Sequence, residues 1–427
     1  MYTIDTGATA WVLVSAAMIL FMTPGLAFFY GGMVRSKNVL GMLMQNFFSM
    51  GLISVLWVVV GFSLAFGDGG SYIGNFDFAF LADLHLTDAD GAFITGLPGY
   101  ALDEASGLDF GLIIPPLVFV AFQMMFAIIT PALITGAVAD RMKFRSWAVF
   151  LGLWSLLVYS PVAHWVFSPT GWLFKRGALD FAGGTAIHIN AGVAAAVLAA
   201  VLGRRRGYPN TPMPPHNLPW TLIGTGILWF GWFGFNAGSA LSASGVAAQA
   251  LINTNVAAAA AMLGWLLVER LKGGHATTLG AASGAVAGLV AITPCAGFVG
   301  GASPLIIGFL AGVICYIAIS IKKALKLDDS LDVIAVHLVG GLTGSLLLGF
   351  FGDTQYNSFG FDGVFAGGGT DLLIDQLTAA GATILFCGVM TFILAKAIDL
   401  TLGLRVDEED EDTGLDLSQH AETAYSA

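Results

Sequence analysis

Charge is scarce in this chain. Only 11% of its 427 residues are Asp, Glu, Lys or Arg, against roughly 25% in ordinary soluble domains. Hydrophobic residues make up 56%, and the mean hydropathy is +0.81. That balance implies a polytopic membrane protein. Cysteine is nearly missing too. Cys295, Cys315 and Cys387 stand far apart at no metal-ligand spacing, so they read as small core residues and imply no disulfide framework. Basic runs large enough for nucleic acid are absent. No basic segment precedes the first apolar core in "MYTIDTGATAWVLVSAAMILFMTPGLAFFYGG", and that core continues into a full span. It therefore reads as mature sequence without a cleaved signal peptide. Glycine is plentiful at 56 residues, and small residues let transmembrane helices approach closely enough for dispersion to hold them.

Apolar stretches long enough to cross about 30 Å of hydrocarbon as helices lie at 10–32, 40–66, 111–139, 146–167, 184–203, 219–240, 247–268, 276–294, 303–321, 332–351 and 376–398. Helices are the expected element because backbone amides in lipid need internal partners. The reading is an all-α polytopic membrane protein with eleven transmembrane helices. With the amino terminus outside, fifteen of the seventeen Lys and Arg residues fall on the cytoplasmic side, and only Lys175 and Arg176 fall outside. The exterior segment from Gly67 to Phe110 carries eight acids and no base. Such a vestibule would concentrate a cation.

Residues 1–406 form the transmembrane domain on this reading, and 407–427 an acidic cytoplasmic tail. Much of the formal charge of −11 is local to it: Asp407 to Asp412 reads "DEEDED". A solvated tail is the plain explanation of that run.

Two histidines sit where a span should be hydrocarbon. His188 in "DFAGGTAIHIN" lies about four residues into the fifth stretch, and His337 in "VIAVHLVGG" about five into the tenth. If spans 1–5 and 6–10 are two halves followed by a final helix, an odd-numbered unit makes the second half inverted in the membrane. The histidines would then approach from opposite sides and meet near the middle. A touching pair of neutral imidazoles offers one donor and one acceptor, whereas two imidazolium ions would repel. Neither metal nor enzyme chemistry fits. Zinc would need further ligands, while Asp180 and Asp332 lie nearer the span ends. No cofactor and no enzymatic activity are expected.

Aromatic residues supply a second pattern. "AFQMMFAIITPA" (121–132) places Phe122 and Phe126 one helical turn apart, and "GWFGFNAGSA" (231–240) mixes rings with small residues. Core packing is the ordinary use of such rings. A hydrophobic constriction that strips water from a permeant is the functional one. At an outer mouth, ring faces could hold a small cation while a hydroxyl such as that of Ser239 accepts its hydrogen bond.

In order along nearly the whole chain, "FMTPGLAFFYGGMVRSKNVL", "GALDFAGGTAIHINAG", "PHNLPW", "GWFGFNAGSA", "DVIAVHLVGG" and "DLTLGLRV" resemble the motifs of the ammonium transporter family, the Amt/Mep/Rh superfamily, on its Amt side. The resemblance implies eleven spans, an outside amino terminus, a homotrimer and one pore per protomer. It assigns His188 and His337 to the pore's twin histidines, and Phe126 and Phe235 to the stacked pair gating its outer end. Ser239 falls to the external ammonium site, Asp180 beneath that site, and Trp232 to the pore lining. One departure stands out. Where the family pattern has a tryptophan, this chain reads "PVAHWVFSPTGWL". Phe167 is the preferred match, with Trp165 or Trp172 as spatial substitutes.

The tail resembles the family's cytoplasmic tail. It implies a possible trimeric PII signal protein at the cytoplasmic exits, with Arg405 and the segment Gly414 to His420 contributing. Localisation would be a bacterial or archaeal plasma membrane. The mechanism implied is recruitment of ammonium, its deprotonation near the phenylalanine pair, and passage of ammonia along the imidazoles with net ammonium uptake. Electroneutral conduction of ammonia, an ammonium sensor with little flux, a structural scaffold and an ion-coupled amino acid transporter are the alternatives. A scaffold leaves the matched histidines unexplained, and no carboxylate clamp suits an amino acid.

Overall fold

The computed structural model describes residues 4–84, 96–100 and 111–425. Five of the acids expected in the exterior segment (Asp88, Asp90, Asp103, Glu104 and Asp109) lie outside the described residues.

Each of the eleven apolar stretches is helical. The helices are α1 (Thr6–Met33), α2 (Ser36–Phe66), α3 (Pro116–Val138), α4 (Phe144–Arg176, with a turn after Phe167) and α5 (Gly184–Leu202). They continue with α6 (Leu218–Gly238), α7 (Gly245–Gly273), α8 (Thr278–Ile292), α9 (Ser303–Ala324), α10 (Ile334–Phe351) and α11 (Asp371–Thr401). Short helices α12 (Glu408–Thr413) and α13 (Leu415–His420) follow. Helix α4 runs nine residues past its apolar stretch, to Arg176 against 167, and elsewhere helix ends differ by up to five residues, as at Asp371 against 376.

Among the described residues, nine helices are long and apolar enough to cross a membrane, so the chain is an all-α multi-pass membrane protein. The other two fall short for different reasons. Helix α8 is apolar but has only 15 residues. Helix α6 has 21 residues, about 31 Å at 1.5 Å per residue, but three tryptophans and five glycines dilute its aliphatic content.

Local sequence sets the starts. Asp5 caps α1 by accepting from Ala8 N at 2.6 Å, Asn217 caps α6 by accepting from Trp220 N at 3.1 Å, and Thr277 caps α8 by accepting from Gly280 N at 2.9 Å. Small residues set the spacing. A side chain at Gly224 would meet the backbone of Phe29, which is why α6 can lie directly on α1. Likewise Gly344 of α10 faces the carbonyl of Ala291 on α8.

Helices α5 and α10 begin unlike the others. Each opens with a π-helical turn, Gly184–Ile189 and Ile334–Leu338, and each turn carries one of the two histidines. Such turns inside helices concentrate at functional sites. Helix packing places the π turn of α5 against α10 and that of α10 against α5, so the two unusual starts meet.

Candidate functional site

Nδ1 of His188 lies 3.2 Å from Nδ1 of His337. The rings are nearly parallel, 19° apart with centroids separated by 5.3 Å, and both are buried. At this distance one nitrogen carries the shared hydrogen and the other accepts it, so the contact suits two neutral rings. Nε2 of His188 is buried with no protein partner among the described residues.

Aromatic rings continue the stack. Trp232 lies 5.4 Å from His188 at 20°, and Phe235 lies 6.1 Å away at 23°. Phe235 in turn meets Phe126 at 4.5 Å, and Phe122 packs on Phe126 at 4.9 Å. Trp232 is held from behind: its Nε1 donates to Thr293 Oγ1 at 2.8 Å, and that hydroxyl donates on to Leu289 O at 2.7 Å. The space bordered by His188, His337, Trp232 and Phe235 is about 10 Å³, at the lower limit for one water molecule. Its other walls are aliphatic or aromatic, including Leu26, Ile129 and Leu228.

On the other side of the Phe126 and Phe235 rings lies a wide cavity of about 1070 Å³. Phe126, Phe167, Asp180 and Ser239 border it together. Ser239 donates its hydroxyl to Phe235 O at 2.8 Å, which leaves the oxygen lone pairs free to accept. Of the three aromatic candidates, Phe167 borders the cavity. Trp165 instead donates to Tyr72 O at 2.6 Å and packs on Phe386, and Trp172 packs on Trp165 and Tyr72. His164 lies one turn from these rings, its nitrogens 2.9 and 2.8 Å from the carbonyls of Ala65 and Gly70, tying the end of α2 to α4.

Asp180 is turned away from simple exposure. Its two carboxylate oxygens accept from the amides of Gly183 (2.8 Å), Gly184 (2.6 Å), Thr185 (2.8 Å) and Ala186 (3.1 Å). Gly183, at φ +118°, makes the left-handed turn that points these amides at one carboxylate. Burial pushes the Asp180 carboxyl above its usual range, against the pull of the four amides.

Asp329 was not among the sequence candidates, yet it repeats this device. It stands eight residues before His337, as Asp180 stands eight before His188. Its oxygens accept from Val333 N (3.1 Å) and Ile334 N (2.8 Å) at the start of α10. Burial pushes this carboxyl up to about 6, although the nearby Lys322 ammonium works the other way. The signal in the sequence was the common eight-residue offset.

The tail candidates lie elsewhere, on the face with the basic loops. Arg405 donates to Glu411 at 2.7 Å and to Leu202 O at 3.0 Å. Gly414, at φ +109°, lies against the backbone of Lys37, and the ring of His420 packs on Phe144 at 5.1 Å. The acidic run is not uniformly solvated, since Glu411 is buried and also accepts from Arg206 N at 2.7 Å. Among the described residues there is no group of three or more His, Cys, Asp or Glu side chains placed to hold a metal.

Residues 10–425 match the model of the Ammonium Transporter Family. A curated ammonium transporter of Mycobacterium tuberculosis is 51% identical over 99% of this chain and 90% of its own length. The crystal structure of Saccharomyces cerevisiae Mep2 superposes with a TM-score of 0.84 at 33% identity, covering 95% of this chain and 89% of that one. A solved structure titled Sensor Amt Protein gives 0.84 at 30% identity, over 97% and 98% of the two chains. The match extends along almost the entire length, and the chain belongs to the ammonium transporter family, whose members carry ammonium or ammonia across membranes and are not enzymes.

Proposed function

We propose that the chain takes up ammonium by holding the cation in the wide cavity, separating it into ammonia and a proton, conducting the ammonia past the paired imidazoles and relaying the proton along His188 and His337 to rejoin it on the other side. The carrying observation is the contact between His188 and His337 at 3.2 Å, separated from the wide cavity by the Phe126 and Phe235 rings. A hydrated cation would pay heavily to enter a space of such size and polarity, whereas neutral ammonia carries no Born penalty. In the wide cavity, the Phe167 ring offers a face and Ser239 an oxygen to the cation. Asp180 acts through its field and by shaping the start of α5, because backbone amides already occupy both oxygens. Past the phenylalanine pair, the unpartnered Nε2 of His188 replaces a hydrogen bond that ammonia would otherwise make to water.

On this reading the chain makes eleven passes, with the amino terminus and the wide cavity outside and the tail in the cytoplasm of a bacterial or archaeal cell. Fifteen of seventeen basic residues on one side support this orientation. The shared pattern of carboxylate, π turn and histidine at α5 and α10 supports an inverted repeat of spans 1–5 and 6–10 plus a final helix. We further infer a homotrimer and a PII partner at the cytoplasmic exits, on the strength of the family and of the docked tail carrying Arg405, Gly414 and His420. Residues 1–406 then act as the transport domain and 407–427 as its cytoplasmic tail.

A sensor with little flux is the second reading, favoured by the likeness to the structure titled Sensor Amt Protein. Flux and current measured together after an ammonium jump on proteoliposomes separate these. Ammonium-dependent current that falls in His188→Ala and His337→Ala supports uptake with net charge. Alkalinisation of the lumen without steady current indicates neutral ammonia conduction. Absent flux in correctly folded wild-type protein moves the sensor reading to the front.

A further inference from the structure

Gln376 of α11 is fully buried, and its amide makes three hydrogen bonds, all of them to backbone. Oε1 accepts from Leu179 N at 2.8 Å, while Nε2 donates to Leu179 O at 2.8 Å and to Ser345 O at 3.2 Å. Leu179 lies outside regular secondary structure, ahead of α5, so no helix supplies a partner for its amide or carbonyl. The side chain thus substitutes for a strand partner at a single residue, and that residue immediately precedes Asp180. Ser345 lies on α10, about two turns beyond His337. One side chain therefore ties the approach to Asp180 to the helix carrying the second histidine. Its neighbour completes the hold: Asp375 pairs with Arg176 at 2.8 Å, so two successive residues of α11 grip both ends of the segment 176–179, a wall of the wide cavity.

We propose that Gln376 is a positioning residue for cation recruitment, setting where the Asp180 loop stands relative to α10. The inference rests on the reading of the wide cavity as the site that takes up ammonium. An apolar residue of the same length would fill the space but leave Leu179 N, Leu179 O and one bond of Ser345 O unanswered inside the protein. The segment 176–179 would then drift, taking that wall of the wide cavity away from Phe167 and Ser239, while the amides of Gly184, Thr185 and Ala186 stay with the π turn that carries His188. The histidine pair, held by other contacts, would keep its conduction.

The test is ammonium-dependent current in proteoliposomes of wild type, Gln376→Met and Gln376→Glu, titrated with external ammonium and normalised to assembled protein. A positioning role predicts that Gln376→Met raises the half-saturating concentration by about fivefold or more, with saturating current within about twofold of wild type. Gln376→Glu, which keeps an acceptor for Leu179 N, should show a smaller shift in the same direction. An unchanged half-saturation, or a fall in saturating current alone, overturns the proposal. Should Gln376→Met fail to assemble, the same two readouts on Gln376→Glu decide. Wild type without ammonium-dependent flux would instead defeat the transport reading itself, an outcome separable from any effect of Gln376.

Discussion

Trp232 is held against His188 by a residue outside the aromatic stack. Its indole N–H has one acceptor, Thr293 Oγ1, in a buried setting. Thr293→Val keeps the shape of that side chain and removes the acceptor, which costs roughly 1 to 3 kcal/mol for an unpaired buried donor. We expect a lower melting temperature and a several-fold loss of ammonium flux, read from thermal unfolding in detergent and from proteoliposome uptake on the same preparation. Asp329 yields a pH prediction. A carboxyl raised to about 6 binds a proton in the folded state over a range where the unfolded chain has lost it. Its contribution to stability is full below the ordinary carboxylate range and is lost as pH rises through about 6. Wild type should therefore lose on the order of 2 to 3 kcal/mol from this group between pH 4 and 7, and Asp329→Asn should flatten that slope in melting curves taken across the range. The histidines were visible in sequence because an imidazole stands out in an apolar run. Thr293 and Gln376 were not, because Thr and Gln are unremarkable in spans and what distinguishes them is a partner far away in the chain, while Asp329 was marked only by sharing with Asp180 its eight-residue offset from a histidine.

Helices tell a similar story about what sequence can carry. Each apolar stretch of the sequence falls on a helix, nine of them among the described residues long and apolar enough to span, and the capping residues Asn217 and Thr277 sit where polar residues precede apolar runs. The π turns of α5 and α10 had no comparable signal. A π turn inserts a residue relative to the α pattern, and in a span that is apolar on every side this shift leaves no mark on the periodicity. The close approach of α10 and α8 was legible only as glycine abundance, not as a particular pair. Gly344 faces the carbonyl of Ala291 so closely that even a methyl group would collide with backbone. Gly344→Val should force α10 away from α8 and carry His337 with it. The expected result is poor assembly, seen as loss of a monodisperse peak in size-exclusion chromatography, and no ammonium flux from what remains. Gly226, whose side chain would enter open space, provides the contrast: Gly226→Ala should assemble normally.

The tail joins the two ends of the molecule. Asp416 accepts from Gly41 N at 2.8 Å at the start of α2, supplying a cap from a residue hundreds of positions away. Asn38 accepts from Leu415 N at 2.8 Å beside it. Glu411 bridges Arg405 and the amide of Arg206, while Tyr425 donates to or accepts from His216, whose other nitrogen faces Val34 O. A run of six acids suggests a solvated segment, yet one of them is an internal strut, because its partners come from loops between α5 and α6 and after α11. The distinction is testable with Asp416→Ala and Glu411→Ala. If the tail is docked, Asp416→Ala should lower the melting temperature by an amount matching about 1 kcal/mol for a lost cap, and Glu411→Ala by somewhat more because two donors lose their acceptor. Both variants should also expose the segment after Val406 to limited proteolysis. A freely solvated tail predicts no change in melting and equal cleavage in wild type. Since α2 begins beside the basic loops that the tail gathers, undocking it would release the caps and ion pairs on that face together. That makes the tail the most direct route by which a partner bound to that face could act on the helices around the histidine pair.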